Sequence, residues 1–309
     1  MKLFNAAAAR TAASIAAVAV LAACAPGARI DDSALAGSAP AGPALWAVSD
    51  ADSTIYLFGT FHALREGATW RTPKVQAALA QSSEVWLELA DVGTPGAEAA
   101  TLPLIQRLGL DPSRPLSSKL TAAENALLAV AAAKVGLTPA QLEPMRPWLA
   151  GLQLSLLPLL KAGYDPKLGV DGLIAAAART EGKTVRGFET TEQQLRFFAD
   201  LPPEAEKQML LSALEDVEGG PAVIDRMSAA WSRGDLRALE TELVDDMRKE
   251  TPAFYKVLLA DRNAAWARII AERLKGSGVS FVAVGAAHLV GPDSVQAELA
   301  ELGVTAARR

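Results

Sequence analysis

The chain of 309 residues contains two histidines, and both stand three positions after a glycine: Gly59-Thr60-Phe61-His62 and Gly285-Ala286-Ala287-His288. Each glycine closes a short apolar run, so the two imidazoles are expected at the ends of buried strands. Imidazole titrates near neutrality and is a common metal ligand, so such a pair suits proton transfer or metal binding. Glu88 joins the pair because it interrupts Val85-Trp86-Leu87-Glu88-Leu89-Ala90, where a buried carboxylate needs a metal, a cation or hydrogen bonds. The plain alternative is a carboxylate reaching solvent at the end of its strand. Two imidazoles and a carboxylate leave coordination positions open for water, which suits Zn, Mn, Co or Fe(II), with the bound water as nucleophile.

The elements that must position these groups follow from hydrophobic patterning. Thr54 to Gly59, Glu84 to Ala90 and Val279 to Gly285 read as buried strands, Thr184 to Phe188 as a fourth, and Trp46 to Ser49 as a fifth that pairs with the first in a hairpin. Gly59 and Gly285 are expected to take positive φ or to admit a close backbone approach, turning each histidine over the sheet edge. Long helical stretches from about Thr101 to Thr180 and Leu201 to Leu274 separate the strands. Thr121-Ala122-Ala123-Glu124 and Thr190-Thr191-Glu192-Gln193 match the capping box, and Pro73 and Pro221 suit first helical turns. Trp148 to Leu160 reads as a buried core helix. The expected fold is α/β: a mainly parallel or mixed central sheet covered by many helices, with an extended helical region between the strands, over residues 45–309. In such sheets ligands collect at the carboxyl ends of the strands.

Ahead of that domain, Lys2 and Arg10 precede an uncharged Ala/Val-rich run that ends in Leu21-Ala22-Ala23-Cys24. This is the pattern of a signal peptide over residues 1–23, too short to span a bilayer, closed by a sequence that resembles the bacterial lipobox. Cys24 is the only cysteine, which rules out an internal disulfide and leaves lipidation as its best use, the plain alternative being an ordinary signal peptide with a chance cysteine just past its cleavage site. Residues 24–44 then read as the lipidated cysteine and a flexible Ala/Gly/Ser/Pro tether, and the expected location is the cell envelope, with the membrane reached through Cys24. The formal charge of -5 becomes -7 once the two basic residues of the first 23 are removed. That balance, and the lack of any nucleic-acid motif, argue against DNA or RNA as partner. There is no HExxH, no GxSxG elbow and no Walker A loop. Gly276-Ser277-Gly278 precedes a strand and reads as a turn.

With the two GxxH motifs, Glu88, Arg262-Asn263, Gly169-Val170-Asp171, Gly182-Lys183 and Gly187-Phe188-Glu189-Thr190 in this order, the chain resembles the TraB/GumN family. The resemblance extends from about Leu45 to Val304. It implies an erythromycin esterase/ChaN-like fold and kinship with the Tiki metalloproteases. His62, Glu88 and His288 would then form the site, with Mn or Co dependence and a peptide or protein substrate. It raises Arg262 to an oxyanion or substrate clamp; the plain alternative has Asp261 capping a helix from Ala264 to Leu274 with Arg262 on the surface. Asn263, Gly59, Gly285 and Glu189 are supporting residues, Glu189 either fixing the site or charging the first turn of the next helix. Asp91 lies one residue beyond the usual spacing. Two other functions stay open at this point: a surface lipoprotein that binds haem or metal, and metal-free hydrolysis with one histidine as general base.

Overall fold

The computed structural model describes residues 42–215 and 217–309; the signal peptide, Cys24 and most of the expected tether lie outside them. Gly42, Pro43 and Ala44, assigned to the tether by composition, are already buried.

Six strands form one mixed sheet: β1 (Leu45–Ser49), β2 (Ser53–Thr60), β3 (Glu84–Leu89), β4 (Thr184–Glu189), β5 (Gly278–Gly285) and β6 (Ala307–Arg308), in the order β4-β3-β5-β2-β1-β6. The pairs β2–β5, β3–β5 and β3–β4 are parallel, while β1 runs antiparallel to β2 and β6. The expected hairpin is therefore present, and β6 is an addition that the sequence did not suggest. Because β2, β3, β4 and β5 share one direction, their carboxyl ends line up on a single edge, with Thr60 opposite Gly285 and Leu89 opposite Glu189.

Period-two alternation divides the apolar side chains between two faces. Ile55, Leu57, Val282 and Val284 pack with Trp266, Ile270 and Leu299 on one side. Phe58, Phe281, Ala283, Val85 and Leu87 pack on the other, under a larger helical layer. Four helices reach the site: α1 (Val170–Thr180), α2 (Thr191–Ala199), α3 (Gly220–Ser232) and α4 (Asp261–Leu274). Thr190 and Gln193 close the capping box that starts α2, and Thr121 and Glu124 close the other expected one. Helix Pro147–Lys161 is the buried core helix, and among the described residues no helix is long and apolar enough to cross a membrane.

One local expectation is narrowed and another is corrected. Neither Gly59 nor Gly285 has positive φ. Their lack of a side chain is used for close approach: a Cβ on Gly59 would lie 3.1 Å from Ala286 Cα, and one on Gly285 would lie 3.1 Å from Glu88 Oε1. Asp261 does not cap a helix either. Pro252–Tyr255, a π-helical turn Lys256–Ala260 and α4 form one continuous helical run, which carries Arg262 inward to 8% exposure.

Candidate functional site

The carboxyl edge of the sheet brings both histidines together. His62 follows β2 directly and His288 sits in the 3-10 turn Ala286–Leu289 after β5; both are buried. Their Nε2 atoms lie 3.9 and 3.7 Å from the same oxygen, Glu88 Oε1, on β3. A Cβ on Gly285 would also fall 3.3 Å from His62 Nε2 and 3.6 Å from His288 Cδ2, so the glycine leaves room for the convergence.

Each imidazole is fixed through its other nitrogen. His62 Nδ1 donates to Asp171 Oδ1 at 2.9 Å, and His288 Nδ1 donates to Asn263 Oδ1 at 2.6 Å. The Asn263 amide is oriented by its Nδ2, which donates to the Asp293 carbonyl. Both Nε2 atoms are thus directed at Glu88, an anchoring scheme common among metal-ligating histidines.

Glu88 is held as a carboxylate. Its Oε1 accepts the Gly285 N–H at 2.8 Å, and its Oε2 accepts from Arg262 Nη2 at 2.7 Å and Gln194 Nε2 at 3.0 Å. Burial alone would raise its pKa, but Arg262, the two histidines and the Gly285 amide hold it well below the usual carboxylate range. Arg262 in turn spends all five N–H groups: Nε and Nη2 on Glu189, Nη2 on Glu88, and Nη1 on the Leu258 carbonyl and on His288 Nε2 at 3.2 Å. Its guanidinium also stacks on Trp266 and Phe197, 4.7 and 5.1 Å from the ring centres. Burial opposes its charge, and Glu88 and Glu189 more than restore it.

The two imidazoles consequently differ. Burial lowers the His62 pKa, but Asp171 and Glu88 overcome it and raise the value to about 9. Burial and the adjacent Arg262 cation push His288 down to about 3. At neutral pH, His288 is a neutral ring whose Nε2 lone pair takes the Arg262 N–H.

Of the candidate residues of the domain, His62, Glu88, His288, Arg262, Asn263, Glu189 and Gly285 lie in this cluster, while Gly59 packs against Ala286 and Leu289. Glu189 both pairs with Arg262 and accepts from Trp266 Nε1 at 3.1 Å. Asp91 is exposed, and Cys24 lies outside the described residues. Arg262 has no spare donor for an oxyanion in this arrangement, and its place is that of a positioning residue. Sequence reasoning missed Asp171, Gln194 and Trp266 as partners. Asp171 stood in the Gly169-Val170-Asp171 motif, which was the available signal. Among the described residues no three His, Cys, Asp or Glu side chains form a ready-made metal cage.

Above the cluster lies a mostly apolar pocket that is partly open to solvent. Its floor is Thr60, His62, Glu88, Arg262 and His288; its walls are apolar, among them Phe198, Met227, Leu243, Met247, Leu258 and Leu259.

A family model described as TraB/PrgY/gumN matches residues 44–308. Two curated proteins, from Escherichia coli K12 and Shigella flexneri, are each 25% identical over 158 residues, covering 51% of this chain and 58% of the relative. Both are described as uncharacterized protein YbaP, and the chain thus spans less than two thirds of their length. No solved structure matches the chain significantly.

Proposed function

The chain belongs to the TraB/PrgY/gumN family, and from that premise we propose that it is a hydrolase, acting on a carbonyl compound of peptide type at the carboxyl edge of its sheet. The observation that carries this reading is the convergence of two anchored imidazoles on one oxygen of a buried, ionised glutamate beneath an apolar pocket. Export and attachment to the envelope membrane through a lipidated Cys24 belong to the same proposal and rest on the amino-terminal sequence.

The donor set is of the kind that takes a divalent ion, with His62, which is protonated at neutral pH without one, giving up its Nε2 proton on binding. The 3.7 and 3.9 Å separations between donors are near the roughly 3.4 Å expected for donors around a tetrahedral ion, and Gly285 keeps the space between them free of a side chain. His62 Nε2, His288 Nε2 and Glu88 Oε1 would hold it, and an ion there and the Arg262 bond to His288 exclude one another. When bound, such an ion supplies a Lewis acid that makes water nucleophilic at neutral pH.

The chain's own residues do the rest. Asp171 and Asn263 accept from Nδ1 of the two rings, so Nε2 faces the pocket floor. Arg262, Gln194 and the Gly285 amide keep Glu88 deprotonated; Oε1 either joins the two imidazoles on the ion or, left free of it, uses its remaining lone pair to take the proton of the attacking water. The new bond joins water oxygen to the carbonyl carbon, the bond to the leaving group breaks, and the proton passes to that group. The apolar walls exclude bulk water, which strengthens every charge interaction at the floor.

Hydrolysis of a peptide and ester panel, with and without Mn, Co or Zn, tests the reading. Glu88→Gln should lose about two to four orders of magnitude in kcat, the range for removing a general base. No turnover of any substrate with any metal contradicts the proposal. Titration with haem distinguishes the carrier alternative, for which a ligated Soret band is the signature.

A further inference from the structure

Thr60, at the end of β2, is 2% exposed, and its Oγ1 has no hydrogen-bond partner among the described residues. A buried hydroxyl left in that state is costly, and most buried polar groups avoid it. The other unpartnered buried side-chain atoms belong to Trp86, Gln153, Thr191 and Gln296, none of which lines the pocket. Thr60 does line it, beside His62, Glu88 and Gly285, and it stands opposite Gly285 in the parallel register.

The walls over this hydroxyl have a common origin. Leu243 lies in the π-helical turn Thr241–Asp245, and Leu258 and Leu259 lie in the π-helical turn Lys256–Ala260. Such turns widen a helix locally and recur at functional sites. Here they direct leucines at one apolar space, together with Met227 and Met247, whose unbranched side chains adapt to flexible chains.

All five Arg262 N–H groups have partners in this arrangement, whereas the buried Thr60 hydroxyl beside them has none. We propose that the pocket takes an uncharged carbonyl compound, an amide or ester bearing an unbranched apolar chain, with the Thr60 hydroxyl donating to its carbonyl oxygen and the chain seated between the two π-helical turns. A charged chain is disfavoured by the apolar walls. The inference rests on the hydrolase reading for what happens to the bound carbonyl, and on the pocket alone for binding.

Titration calorimetry of the full chain with butyramide, hexanamide and octanamide tests it without requiring turnover. Affinity should rise about three- to fourfold per methylene, the value of burying one CH2. Thr60→Val, which keeps the shape and removes the hydroxyl, should weaken hexanamide binding roughly five- to tenfold while leaving the melting temperature equal or higher. Thr60→Ser should bind within about twofold of the wild type. N-acetyl-norleucinamide, which carries its four-carbon chain on a peptide unit, tells whether an acyl chain or a peptide side chain is the better source; tight binding of either with the Thr60 dependence supports the inference. Amide binding that ignores chain length, equal binding by Thr60→Val, or no binding by the wild type overturns it. Chain-length- and Thr60-dependent binding with no hydrolysis of any substrate removes the hydrolase reading alone; turnover indifferent to Thr60→Val removes this inference alone.

Discussion

Asp171 and Arg262 give the two histidines opposite characters, and each can be tested by one substitution. Asp171→Asn removes the charge that holds His62 up, so the His62 pKa should fall from about 9 toward or below its ordinary value, as read from imidazole proton shifts across a pH titration. An unchanged titration would mean that Glu88 alone sustains the shift. Arg262 joins two buried carboxylates, Glu88 and Glu189, to the helix that carries it. Arg262→Ala should cost about 3–5 kcal/mol, the usual penalty for leaving a buried charge uncompensated, measured by chemical denaturation. Arg262→Lys should restore little of it, because an ammonium has three donors where five are used. The catalytic candidates were legible at this scale because histidine is so scarce in the chain. Their partners were not: Asp171, Gln194 and Trp266 sit on helices whose approach to the sheet is decided by packing far along the sequence.

At the scale of elements, the edge that holds the site depends on how α1 docks. The Val170 N–H donates to the Phe61 carbonyl at 2.8 Å, and a Cβ on Gly169 would collide with the His62 carbonyl oxygen. Gly169 therefore lets α1 start directly against the histidine loop and brings Asp171 under His62. Gly169→Ala should destabilise the fold by about 1–3 kcal/mol through overpacking and lower the melting temperature; a neutral effect would show that the loop can yield. At the opposite end of β3, Glu84 accepts from Arg273, Arg186 and Ser280, joining β3, β4, β5 and α4. Burial raises its pKa, but chiefly Arg273 and Ser280 hold it at about 2 against an ordinary 4.5. A depressed carboxylate stabilises the fold above its unfolded pKa, and the contribution is lost as pH falls from about 4.5 toward 2. Glu84→Gln should flatten the fall in denaturation midpoint between pH 5 and about 2.5; an unaltered slope would put the acid sensitivity elsewhere. The strands themselves could be read from their apolar runs, and the capping boxes from four residues each. The run from Pro252 to Leu274 could not, since an acidic residue before Arg262 imitates a helix start and a π-helical turn leaves no mark in the apolar spacing.

At the scale of the molecule, the parallel order of β2, β3, β4 and β5 does the assembling. It places residues 62, 88, 189 and 288 on one edge although they are spread over most of the chain. That the two GxxH motifs end neighbouring strands follows from β2 pairing with β5, a pairing of distant segments that no local pattern encodes; the shared motif only hinted at it. The helical walls of the pocket were legible as helices and not as walls, because the inward faces of π-helical turns appear only when the chain is folded. The metal-assisted hydrolase reading depends on the two imidazoles sharing one ion with Glu88. Elemental analysis of the full chain after exposure to Mn, Co, Zn and Fe salts, beside folded His62→Ala and His288→Ala variants, measures this directly. The account predicts about one ion per wild-type chain, lost from both variants; no retained ion, or equal retention by wild type and variants, would contradict it.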